Sequence, residues 1–344
     1  MSQTASADHL LDTRGIKTDF GAFVVATAFD RAGRTAAFAL GDGTVRLFDG
    51  ADWRAVAAHD GAVLSLAPDA GAAGFVSGGD DGRFARIGAD GGVTPIETYG
   101  MKWVDHVASF SDGKAALLAC SVGKHVHLFD GAGRKLKTLT HPSSVTGLTF
   151  DTKGKRIAAS HYNGASLWYV ASKTDNARLL EWKGSHTDIV LSPDGDCVVT
   201  SMQENALHGW RLSDASHMRM SGYPAKTAAM SFTRGGKWLA TSGAESIVLW
   251  PFTGGGPTGK TPIELAGGDA AMCTYVASHP QQEAVAGGFS DGLVVLADIP
   301  SSRILPVAGT GRGSVSALAW SADGTRLAFG TETGFAAVVD FSKR

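Results

Sequence analysis

Short apolar runs return along the whole chain at a spacing of about 40 residues, each closed by a polar turn and answered by another run. Val24–Phe29 is followed by a turn at Gly33, then by the runs 34–40 and 44–48. Val145–Phe150, a turn at Gly154, 156–160 and 163–169 repeat the order, and so do Val315–Trp320, Gly324, 326–330 and 334–340. Eight such units begin near residues 23, 62, 104, 144, 186, 227, 271 and 314. Each holds three short strands separated by Asp, Gly, Ser or Pro, the residues that tight hairpin turns require. A fourth, more polar strand closes most units: 54–58, 93–96, 135–139, 178–181, 217–220, 262–265 and 304–307. Proline in three of these segments, at Pro95, Pro262 and Pro306, suits an outer edge where a backbone donor can be spared.

Four antiparallel strands per unit, repeated around the chain, predict an all-β fold, a single β-propeller spanning residues 1–344. The repeat predicts eight four-stranded blades, with seven as the alternative. Inner runs such as Arg34–Leu40 are small or apolar at successive positions rather than alternating, as expected where both faces of a blade are covered by its neighbours. Seven outer strands are visible for eight units. The missing one is predicted in residues 1–20, at Leu10–Asp19, so that the N-terminus closes the last blade and removes an open edge.

Composition narrows the function classes. Glycine is abundant, 45 of 344 residues, as a turn-rich chain requires. Lys+Arg 31 against Asp+Glu 33 leaves a net charge of −2, which argues against a nucleic-acid footprint. No apolar run is long enough to cross a bilayer, and the first residues lack the basic and apolar regions of a secretory signal. Cys120, Cys197 and Cys273 stand too far apart to form a disulfide framework. A cytoplasmic protein without membrane or nucleic-acid partners is the expectation.

At this point the chain resembles the WD-repeat family over nearly its whole length. The turn-plus-aromatic motif is whole in the first unit, at Asp42, Gly43, Phe48 and Asp49. Trp210 and Trp250 hold the family's tryptophan position, and the Gly-His that opens a repeat is reduced to His59 and His141. The resemblance implies a buried, structural hydrogen-bonded network in some units, matched here by His59, Ser77 and Asp81, and more loosely by His141, Ser160 and Asn163. It also implies an interaction scaffold.

Candidate chemistry lies at the channel mouth. Aligning the units on their first strands puts Asp105 and His186 at the entrance, with Asp188 two residues further on beside Leu64, Val107 and Thr274. Lys102 and Trp103 lead into Asp105, and Lys226 lies beside the same ring. These residues could bind a partner, hold a small ligand or metal, serve hydrolysis, or satisfy one another through water. His106, Cys120, His125 and His127 gather in the third unit, but without the paired short spacings of a zinc site. Gly254–Lys260 lacks the ending and context of a phosphate loop. The expected function is a non-enzymatic scaffold for a protein or peptide partner, acting as a monomer or within a hetero-complex. No cofactor or metal is expected. The alternative is a small-ligand, metal-handling or hydrolytic propeller.

Overall fold

The computed structural model describes residues 8–267 and 270–342. Among these residues, apart from one short helix, His9–Arg14, the regular structure is antiparallel strand. The strands form a single β-propeller. Innermost strands pack side by side around an axis in the order Val24–Phe29, Val63–Pro68, His106–Ser111, Gly147–Phe150, Arg178–Leu191, Met230–Phe232, Cys273–Ser278 and Val315–Trp320, the last returning to the first. The second strands are buried along their length: Ala36–Leu40, Phe75–Gly79, Cys197–Met202 and Ala284–Phe289 are covered at every position. Neighbouring sheets supply the cover on both sides, which explains why these runs do not alternate.

Among the described residues the sheets number seven, six of four strands and one of six. Eight separate four-stranded sheets are therefore not formed, and the sheet count is that of the alternative. The six-stranded sheet arises from two segments of 14 residues, Arg156–Tyr169 and Arg178–Leu191. Arg156–Tyr169 doubles back on itself: Val170 N–H donates to Lys155 O at 2.9 Å. The fold-back lies at Asn163 and Gly164, with φ of 66° and 139°. Its first half pairs with Gly147–Phe150 and its second with 178–181. Arg178–Leu191 then continues without a loop to pair with Cys197–Met202.

Closure runs through the N-terminal segment. Gly15–Asp19 pairs antiparallel with Phe335–Asp340, from Gly15 opposite Val339 to Asp19 opposite Phe335, and is the outer strand of the sheet that begins with Val315–Trp320. The expected strand from Leu10 is shorter, because residues 9–14 are helical. Leu10 and Leu11 are adjacent and both buried. Successive residues of a strand face opposite ways, so a helical turn is what lets both reach one core. They join Val307, Ala308 and Val339, so the helix bridges the last sheet and its predecessor. Asp8 fastens the end, accepting from Gly309 N–H at 2.6 Å and Arg312 Nη2 at 2.8 Å. Residues 1–7 of the expected closing segment lie outside the described residues.

Removing residues 1–19 exposes the edge of Phe335–Asp340 and uncovers the core around Leu10 and Leu11. Burial of those two side chains alone contributes about 3–6 kcal/mol, so the thermal midpoint should fall by about 4–8 °C. A melting curve unchanged by the deletion would contradict closure through this segment.

Candidate functional site

One backbone feature positions the residues around the axis. The innermost strands carry a register shift near their start, between Val24 and Ala26, Val63 and Ser65, His186 and Asp188, Cys273 and Tyr275, and Val315 and Ala317. The bulge adds one residue to the inner strand and re-aims the side chains there. In the sheet of Cys273–Ser278, both Thr274 and Tyr275 line a cavity of about 380 Å³ at the channel mouth, with Phe23, Lys226, Ser316 and Glu332 on its other sides. Hydroxyls at this level tie neighbouring inner strands together. Thr146 donates to His186 O, Thr274 to Val315 O and Ser316 to Val24 O, each at 2.6 Å.

The sequence alignment, which ignores the bulge, slips by one residue in several units. Ser65, His106 and Tyr275 take the ring level of Asp188, where Leu64, Val107 and Thr274 were expected. Burial and the charge of Asp188 push the Tyr275 phenol up to about 12. Burial pushes the His106 imidazole down to about 4. Neither residue stands out in sequence; a hairpin register containing the bulge would have been the signal.

The nominated residues separate. Lys102, Trp103 and Lys226 are exposed beside the mouth. Asp105 is half-buried, its carboxyl pushed up by burial. Asp188 is pushed up to about 6 by burial, against the pull of the Ile189 N–H that it accepts at 2.8 Å. Neither carboxylate shifts the other, so they do not form one acid pair. His186 is 1% exposed and turns into its own sheet rather than the channel. Its Nε2–H donates to Trp182 O at 2.9 Å, leaving Nδ1 to meet the Thr200 hydroxyl at 2.7 Å. Burial lowers its pKa. A neutral, occupied imidazole is not a ligand of the channel mouth, and the expected edge of Asp105, His186 and Asp188 is not formed.

The third unit spreads its metal-ligand types apart. Cys120 is buried with its thiol 3.7 Å from the Tyr99 hydroxyl, and His127 meets Thr138 Oγ1 at 2.9 Å. Among the described residues no three His, Cys, Asp or Glu side chains are gathered to hold a metal ion.

The two structural networks differ. His59 Nδ1–H donates to Asp81 Oδ1 at 2.9 Å, and Nε2 accepts from the Ser77 hydroxyl at 2.9 Å. Asp81 also accepts from Asp60 N–H, Arg83 N–H and Arg83 Nε. These hydrogen bonds outweigh burial and hold its carboxyl well below the usual range. His141, Ser160 and Asn163 do not form such a chain. Trp168 Nε1–H donates to His141 Nε2 at 3.0 Å, Ser160 meets Thr146 Oγ1 at 3.1 Å, and Asn163 accepts from Gly184 N–H. The residue that corresponds to Ser77 in this unit is Ala159, so Ser160 faces the opposite side of its strand.

No family model matches the chain. The WD repeat-containing protein slp1 of Schizosaccharomyces pombe (strain 972 / ATCC 24843) is 24% identical over 185 residues, 51% of this chain and 38% of that protein. The chain is a β-propeller of the WD-repeat type. The matched part spans well under half of that relative, whose activity and partners are its own. A crystal structure of the computationally designed Ika8 protein superposes on this propeller with a TM-score of 0.74, at 18% identity, over 94% of this chain and 97% of that one. At that identity the likeness is one of fold.

The two faces of the WD-repeat propeller are built differently. On one, turns between first and second strands are stitched to the next sheet: Arg31 donates to Asp69 O, Arg156 to Gly195 O, His279 to Gly324 O and Arg326 to Arg34 O. On the other, the loops that enter the innermost strands and join second to third strands expose Phe23, Met101, Trp103, Tyr162 and Trp182 by 44, 92, 59, 55 and 37%.

His59→Ala strands the Ser77 and Asp81 partners and should cost about 1–3 kcal/mol. Asp81 has a lowered folded-state pKa, so its stabilisation is present above its ordinary value of 3.8 and lost as pH falls below that. Denaturant titrations of Asp81→Asn against wild type should give a stability gap that is full at pH 6 and closes below pH 4. A gap that widens in acid would refute the assignment.

Proposed function

We propose that this WD-repeat propeller is a non-enzymatic scaffold that binds a protein partner across the face bearing Met101, Trp103, Tyr162 and Trp182. The carrying observation is the contrast between faces: one joins its turns to one another and exposes Tyr169, whereas the other holds Phe23, Met101, Trp103, Tyr162 and Trp182 in water. Exposed aromatic groups in a polar surround are what protein interfaces use as anchors. Lys102, Asp105 and Lys226 lie beside them and supply a polar rim. The WD-repeat relative is in keeping with such a role.

The hydrolytic alternative needs acids and a histidine converging on one reacting atom. Asp105 and Asp188 act singly and His186 is turned away, so the geometry works against it. The cysteines are unpaired and buried, in keeping with a reducing, cytoplasmic setting. No helix among the described residues is long and apolar enough to cross a membrane.

The finer architecture belongs to the same proposal. We read the ring as eight units, with the six-stranded sheet holding two of them joined at residues 182–185. Support comes from the ring of inner strands and from the fold-back at Asn163, which divides Arg156–Tyr169 into a second and a third strand. An experimental density map viewed down the axis should show eight lobes; seven would overturn the count.

The scaffold reading is tested by affinity capture from native lysate with wild type, Met101→Ala/Trp103→Ala and Tyr169→Ala. Tyr169 is 61% exposed but at the stitched end. A partner retained by wild type and Tyr169→Ala and reduced at least tenfold by the double variant is expected. Equal capture by all three would move the site elsewhere, and turnover of a substrate by the purified chain would overturn the non-enzymatic reading.

A further inference from the structure

The wall of the axial channel contains an acid that the protein leaves without a counter-charge. Asp188 stands one residue past the bulge of its strand, at the level Tyr275 occupies in its own. Tyr275 lines the cavity of about 380 Å³ at the mouth. The strands packed against Asp188 are Gly147–Phe150, Cys197–Met202 and Met230–Phe232. They carry no charged side chain, and their one titratable group, Cys197, lies at the far end of its strand. Among the described residues Asp188 joins no ion pair. Its carboxylate accepts from the N–H of its own neighbour, Ile189, at 2.8 Å.

The surroundings favour an inserted group. The next ring position on one side is Gly147, where an added Cβ would crowd the Asp188 carboxylate, and on the other side Ala229. The acid is therefore flanked by small residues on both sides. Tyr275 is close enough for the Asp188 charge to act on its phenol, and it offers both a ring face and a hydroxyl. Lys226 and Glu332 are exposed at the rim with opposite charges, so neither neutralises the acid below.

The geometry points to Asp188 and Tyr275 as a pocket for an ammonium or guanidinium group, the side chain of a basic residue that a bound partner lowers into the channel mouth. A desolvated carboxylate without a partner is costly, and a cation placed beside it relieves that cost. Coulomb attraction is stronger there than in water, and an aromatic face adds to it. The inference rests on the reading that this face receives a protein, and it names the chemistry that the protein would present.

The test uses the full chain and small probes in calorimetric titrations: N-acetyl-arginine methylamide, N-acetyl-lysine methylamide and the uncharged N-acetyl-norleucine methylamide. One or both basic probes should bind wild type, norleucine should not, and Asp188→Asn should weaken binding at least tenfold while keeping its circular dichroism and melting midpoint. Tyr275→Phe, which keeps the ring, should weaken it less. Binding should also fall as pH drops through about 6, because Asp188 takes up a proton there and Tyr275 stays neutral to about 12. Equal binding of norleucine, or full binding by Asp188→Asn, would overturn the pocket. The two readings fail separately. Basic probes held by wild type and lost in Asp188→Asn uphold the pocket even where no partner is captured. A partner captured equally by Asp188→Asn leaves the scaffold standing and overturns the pocket as its contact.

Discussion

Everything in this propeller depends on how closely the second strand of one unit approaches the first strand of the next. At Gly78, Gly288 and Gly330 an added Cβ would run into Val104, Val315 and Val24 of the following inner strand. The corresponding positions elsewhere are Ala39, Ser121, Ser160, Ser201 and Ser242. Only small residues fit, because protein interiors are packed to the limit and a methylene too many forces the backbone apart. This contact holds the inner strands together around the axis. Hydroxyl bonds from Thr146, Thr274 and Ser316 to the next strand are possible only at that separation.

A second enclosed place recurs one residue away, on the opposite side of the second strand. In one unit it is filled by His59, Ser77 and Asp81. In another, Trp250 Nε1–H donates to the Tyr223 hydroxyl, which meets Thr241, both at 2.6 Å. In a third it is filled by rings, with Phe20 against Phe38 and Trp53 at ring separations of 5.8 and 5.2 Å and the Arg46 guanidinium over Phe20. The site tolerates these exchanges because each fills the same enclosed volume; the version built on His141 does so with only Nε2 bonded, to Trp168, and Nδ1 left without a partner. Degenerate family motifs are therefore compatible with an intact ring.

Periodicity carried most of this architecture in readable form. Outer strands at Trp53–Ala57, Val93–Thr98, Lys135–Thr140 and His217–Met220 are set by turn residues and apolar spacing, which are local properties. The site was less legible, for a physical reason. A bulge changes strand parity without leaving a mark in composition, and one residue of slip exchanges the two faces of a strand. Hence His186 was aimed at the channel although it turns inward, whereas Tyr275, His106 and Ser160 were misplaced because their units were aligned one residue out of step. The merging of strands at 182–185 was equally hidden, since the segment Glu181–Ser185 reads as a loop in sequence. Leu10 and Leu11 could have signalled the helix, being adjacent apolar residues where a strand needs alternation.

The same tight ring explains where function can reside. Rigid packing fixes the inner strands, so a group at the channel wall is held in place without bonds of its own. Asp188 remains unpaired because the strands around it carry no cation and cannot move to supply one, so that Ile189 N–H is what moderates its charge. Elsewhere in the ring, polar side chains are committed: arginines and His279 cap carbonyls of the neighbouring sheet, and His186 is bound at both nitrogens. One face of the ring is bound to itself turn by turn, whereas the other leaves several rings in water and an acid without a counter-charge, and these are the groups that contact with another molecule would cover.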